Sequence, residues 1–172
     1  MHIDIRIPYE PDFKLGTAYN RIMRNVEDWV LILDTDVFVA LIPDWYDRCL
    51  KAIEKVGDTA GWITCLTNRI GCPHQKYPHE VSDDITDHMI VARDLALQND
   101  GIIVDITAHK PHMSGFFILT RRRCWEAVGP FPEKFLGLDN WYGDRLREKG
   151  FTLHVMQDLY VYHAYHRLWK GK

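Results

Sequence analysis

Five consecutive apolar residues, Trp29-Val30-Leu31-Ile32-Leu33, run straight into Asp34-Thr35-Asp36. The run is far short of the roughly 20 apolar residues that cross a membrane. It lacks the alternation of a half-exposed strand, so it reads as a strand covered on both faces. Such a strand needs a layer above and a layer below it, which points to an α/β domain with helices flanking a mostly parallel sheet.

The rest of the chain supplies those layers. Ile3, Ile5 and Ile7 alternate with Asp4 and Arg6 as an opening strand that Pro8 ends. Tyr19, Ile22, Met23 and Val26 follow at helical spacing after Gly16-Thr17. Beyond a second apolar run at 37–42, Pro43 stands where a first helical residue is favoured. Gly57 suits the stop of the helix that follows. Further strands are expected at 61–67, 102–106 and 115–119. A polar loop is expected at 68–80 and a helix from about Ser82. Thr120 is expected to cap a short helix closed by Gly129, and a last helix to span 140–149. Residues 151–165 hold one or two strands. With no internal repeat or Gly/Ser linker, a single domain over residues 1–172 is expected.

The 172 residues carry 21 Lys plus Arg against 24 Asp plus Glu, net −3, which supplies no basic field for nucleic acid. Four cysteines are too few for a disulfide scaffold. The N-terminus has no basic start leading into an apolar stretch, and no run is long enough for a transmembrane segment. A reducing, cytoplasmic setting is the expectation.

Asp34 and Asp36 carry the first functional signal. On an ideal strand, residues two apart share a face, so their carboxylates can converge. Two converging carboxylates repel, and a divalent cation removes the conflict. The structural alternative is an Asx-turn shaping the strand exit. Cys65, Cys72, His74 and His79 are a weaker zinc candidate, because their spacing lacks the tight pairs of structural zinc sites.

The segment LILDTDVFVA resembles the Asp-x-Asp signature of inverting family-two glycosyltransferases of the GT-A fold. KLGTAYNRIMRNVEDWV is similar to the stretch that feeds that strand, and SGFFILTRRRCWEAVGPFPEKFLGLDNWYGDRLREKGF to the family's second half. The resemblance covers roughly residues 11–166. It implies a metal-dependent, inverting transfer of a sugar from a nucleotide-diphosphate donor, UDP-linked by preference, to a carbohydrate or other hydroxyl acceptor. Asp34 and Asp36 would then hold Mn²⁺ or Mg²⁺, with His163 as third ligand and His166 as its rival. An imidazole in the set shifts preference toward Mn²⁺.

Asp139 falls on the family's general base, with Leu138 in place of the usual Glu; the simpler reading of Asp139 is a helix cap. Donor contacts are implied for Pro8, Tyr9, Lys14, Asn20, Thr35, Gly115 and Arg167, and acceptor contacts for Asn140 and Trp141. Only 33 residues precede Asp34, where the family usually places a full βαβ unit. This abbreviated nucleotide-binding half makes a completing partner, including a second copy of the chain, attractive. Two rival readings stay open: nucleotidyl transfer onto sugar phosphates, and a non-catalytic remnant that binds sugar or a partner.

Overall fold

The structure is a computed structural model that describes all residues except 13, 110, 111, 135 and 165–172. Its strands are β1 (Ile3–Arg6), β2 (Trp29–Leu33), β3 (Val37–Phe38), β4 (Ala60–Thr67), β5 (Ile103–Asp105), β6 (Phe117–Arg121) and β7 (Thr152–His163). The helices are α1 (Leu15–Asn25), α2 (Trp45–Val56), α3 (Ile85–Gln98), α4 (Arg122–Val128) and α5 (Leu138–Glu148).

The strands form one mixed sheet in the order β1-β2-β6-β4-β7-β3, with β5 also beside β7. β1 and β2 pair in parallel, as do β4 and β7, and these four strands run the same way. β6 is inserted antiparallel between β2 and β4, and β3 and β5 lie antiparallel to β7. β7 is thus flanked by β4 along one edge and by β5 and β3 along the other.

The buried run behaves as its sequence requires. Every residue of β2 and of β4 is buried, so both faces of the central sheet are covered. In β1, at the sheet edge, Ile3 is buried while Ile5 is exposed, as is Ile7 just beyond it, so alternation there marks an edge rather than a core face. Among the described residues, no helix is long and apolar enough to cross a membrane.

Within the run 37–42 the two-residue β3 forms, and Leu41 and Ile42 are buried. Three local expectations need correction. Pro43 is not the first helical residue: Asp44 takes the cap position and α2 opens at Trp45. Thr120 lies within β6, and its hydroxyl donates to the Gly61 carbonyl at 2.6 Å instead of capping α4. The cap of α5 is Gly137 at φ 75°, a left-handed conformation suited to glycine, so Asp139 lies in the first turn and its carboxylate is not the cap.

α5 is seated through the sheet. Tyr142, fully buried one turn after Asp139, bonds Thr120 at 2.8 Å. The single Thr120 proton goes to Gly61, so the Tyr142 hydroxyl is the donor. α1 is held by Asn20, whose amide donates to the Phe131 carbonyl (2.8 Å) and accepts from Phe131 N–H (2.8 Å) and Trp125 Nε1 (3.0 Å).

Candidate metal centre

The co-directional strands β2, β4 and β7 end at one rim of the sheet, where open α/β sheets gather ligands. A cleft of about 870 Å³ opens there, with the Asp34–Asp36 segment and His163 on its wall and Asp139 at the start of α5 lining it as well.

Asp34 and Asp36 lie beyond the end of β2, in a turn rather than on a strand. Asp34 N–H still donates to the Phe116 carbonyl at 3.1 Å, continuing the β2–β6 ladder by one residue. Val37 N–H then closes back on the Asp34 carbonyl at 3.3 Å. The carboxylates therefore converge through a turn, not through strand pleat.

His163 is brought to them by the β3–β7 pairing, in which Val37 stands opposite His163 and Ala164 N–H donates to the Asp36 carbonyl at 3.0 Å. One ligand atom from each of Asp34, Asp36 and His163 lies within 4.8 Å of the others. Among the described residues they are the one such group of three or more metal-ligating side chains, so Cys65, Cys72, His74 and His79 do not converge on a zinc site.

The electrostatics of the trio are compatible with a ligand set. His163 Nδ1 lies 3.1 Å from the Arg69 carbonyl, which can only accept, so Nδ1 carries the proton. In the neutral ring Nε2 then presents its lone pair to Asp36 Oδ1, 3.3 Å away. Burial lowers the pKa of His163 and favours that neutral ring, against the opposing pull of Asp36. Nε2 and Asp36 Oδ1 can share a proton or a cation, and a carbonyl on Nδ1 is the partner that orients a histidine whose other nitrogen binds an ion.

The Asp34 carboxyl is pushed up to about 7, first by burial and then by the charges of Asp36 and Asp139. Tyr19, buried beside the same cleft, has its hydroxyl raised far above the usual range by burial and by Asp34 and Asp139. It stays protonated.

Asp139 is fixed from two sides. Its Oδ2 accepts the Gly115 N–H at 3.2 Å and its Oδ1 accepts the Asn140 N–H at 2.9 Å. A Cβ at Gly115 would lie 3.2 Å from the Asp139 Cβ. The absent side chain at 115 leaves room for this close approach, which a Cβ would crowd by a few tenths of an ångström.

The other expected site residues divide. Pro8, Thr35 and Gly115 line the cleft with the trio and Asp139. Asn20 does not, because all its amide bonding goes to Phe131 and Trp125. Tyr9 is 75% exposed outside the lining, and Lys14 points to Glu133 at 3.6 Å. Trp141 packs against Phe131, with ring centroids 5.6 Å apart, and neither it nor Asn140 lines the cleft. Arg167 and His166 lie outside the described residues.

Sequence reasoning missed Tyr19, Asn68, Arg69 and Phe116. Arg69 lines the cleft and supplies the carbonyl that holds His163. The Phe116 ring stacks on His163 at 5.7 Å. No protein-family model matches the chain, and no curated protein sequence matches it.

Proposed function

We propose that the chain is a metal-dependent, inverting glycosyltransferase that moves a sugar from a nucleotide-diphosphate donor, UDP-linked by preference, to a hydroxyl acceptor. The observation that carries this reading is the trio of Asp34, Asp36 and His163 sharing one cleft with a separately anchored carboxylate, Asp139.

Asp34, Asp36 and His163 would hold Mn²⁺ or Mg²⁺, and the mixed oxygen and nitrogen set favours Mn²⁺. When bound, the ion stabilises negative charge on the leaving diphosphate as a Lewis acid. Asp139 accepts the acceptor hydroxyl proton as the new bond to the anomeric carbon forms and the bond to the diphosphate breaks. Attack from the face opposite the leaving group inverts the configuration. Each Asp139 oxygen accepts one backbone N–H and keeps a lone pair for the incoming proton. The Gly115 and Asn140 amides thus hold the base in position without removing its function.

Pro8 and Thr35 line the donor side of this reading. Acceptor contacts pass from Asn140 and Trp141 to Leu136 and Gly137, which line the cleft ahead of Asp139.

The test is to incubate the protein with Mn²⁺ and a panel of nucleotide sugars, with and without simple glycoside acceptors. Release of the nucleoside diphosphate, abolished by Asp36→Ala, supports transfer. Pyrophosphate released from a nucleoside triphosphate plus a sugar phosphate would replace this reading with nucleotidyl transfer. Mn²⁺ binding without turnover on any donor would replace it with a non-catalytic binding module.

A further inference from the structure

The polar segment after β4 is a closed loop. Its ends meet where Thr67 bridges to Lys76 and Tyr77 N–H donates to the Thr67 carbonyl at 2.8 Å, in the manner of an Ω-loop. Two side-chain amides within it reach different strands.

At one end, Asn68 Oδ1 accepts the His163 N–H at 2.9 Å and its Nδ2 donates to the His163 carbonyl at 3.2 Å. This side chain replaces a strand partner just where β4 stops, and Arg69 next to it supplies the carbonyl on His163 Nδ1. At the other end, Gln75, fully buried, accepts the Ser114 N–H at 2.9 Å. Its Nε2 donates to the Ser114 carbonyl (2.9 Å) and to Thr64 Oγ1 (3.0 Å). Ser114 precedes Gly115, whose N–H holds Asp139.

We infer that residues 68–77 act as a splint that sets the two halves of the site separately. Asn68 is a positioning residue for the metal ligand His163, and Gln75 is a positioning residue for the Gly115 amide that anchors Asp139. The inference rests on the metal-site reading above. It goes further in assigning the loop a divided role that neither a surface connection nor a generic structural loop would have. Both amides make two-point contacts with the backbone of one residue, Asn68 with His163 at the end of β7 and Gln75 with Ser114 ahead of β6.

The experiment needs no identified substrate. Mn²⁺ alone is titrated by calorimetry and electron paramagnetic resonance into the wild type, Asn68→Leu and Gln75→Met. Hydrogen exchange of the Gly115 amide is followed by NMR on the same three proteins. Asn68→Leu frees the backbone that carries the His163 ring and is expected to weaken Mn²⁺ binding by about tenfold, the low end of the loss for removing a direct partner of a ligating side chain, with Gly115 exchange unchanged. Gln75→Met is expected to speed Gly115 exchange by about tenfold or more through local opening while leaving Mn²⁺ affinity unchanged.

Asn68→Asp, which retains the oxygen that accepts His163 N–H, should fall between wild type and Asn68→Leu. Gln75→Asn serves if Gln75→Met does not fold. If either variant moves both readouts together, the loop acts as one unit and the division of roles is overturned. Unchanged Mn²⁺ affinity in Asn68→Leu, with a wild type that binds Mn²⁺, overturns the Asn68 assignment. A wild type that binds no Mn²⁺ overturns the metal reading itself and the Asn68 assignment with it, and Gly115 exchange alone then decides the Gln75 assignment.

Discussion

On the proposed metal reading, Asp34 would make ion binding respond to pH in a range where an ordinary aspartate is silent. Burial, reinforced by Asp36 and Asp139, moves its carboxyl from 3.8 to about 7. An incoming Mn²⁺ must then displace a proton from Asp34 at any pH below about 7. Apparent affinity should therefore fall about tenfold from its plateau at pH 6 and about a hundredfold at pH 5. His163, whose pKa is lowered by burial, adds a second proton and a steeper slope only in the acid part of that range.

The same shift has a stability consequence. Between 3.8 and about 7 the folded state retains a proton that the unfolded chain has released, so the metal-free fold loses stability as pH rises through that window. The loss is at most roughly 4 kcal/mol, given about 1.4 kcal/mol per pH unit. Mn²⁺ should restore it. The assay is calorimetric Mn²⁺ titration at half-unit steps from pH 5 to 7.5, alongside thermal melts with and without the ion. A Mn²⁺ affinity that is flat above pH 5 would show that Asp34 ionises like a solvated aspartate, and the argument from crowded, buried carboxylates would fail.

Three further outcomes follow from the same geometry. Asp139→Asn should reduce donor turnover by about 10²–10⁴-fold while leaving Mn²⁺ affinity near wild type, as read by steady-state kinetics and calorimetry. Gly115→Ala sets a methyl 3.2 Å from the Asp139 Cβ. It should lower turnover without loss of Mn²⁺ binding, and its overpacking should cost about 1–3 kcal/mol in a denaturant melt. Asn20→Ala removes three hydrogen bonds that tie α1 to Phe131 and Trp125. It should destabilise the fold by about 2–4 kcal/mol yet leave the affinity for UDP with Mn²⁺ unchanged in the surviving folded protein.

What the sequence made legible were the features set by local periodicity. The unbroken run at 29–33 is β2 to the residue, buried throughout, because a strand covered on both faces leaves no polar position in its pattern. Convergence of Asp34 and Asp36 was expected from strand pleat and His163 from the family resemblance, whereas a turn and the β3–β7 pairing bring the three together. Long-range pairing was not legible. Nothing local distinguishes β6, inserted antiparallel, from a parallel neighbour, and Thr120 looked like a cap because its partner Gly61 is far away in the chain. Asn68 and Gln75 were invisible for a related reason. A polar residue in a loop has no period, and its role is defined only by the backbone it reaches. Asn20 was placed correctly on α1, but a resemblance to donor-binding stretches could not reveal that its amide bonds Phe131 and Trp125 within the protein.

The position of β7 in the sheet has a consequence for how a nascent chain acquires this architecture. Ala60 must wait for Thr152 before its strand gains a neighbour on that side, and Val37 must wait for His163. Until then a ribosome-bound intermediate presents β4, apolar on both faces, with one flank open, a state prone to wrong association. Closure depends on contacts of high sequence separation, which slow folding. The last of the described strands thus closes the hydrophobic interior beside β4 and sets the His163 imidazole against Asp36 in the same event.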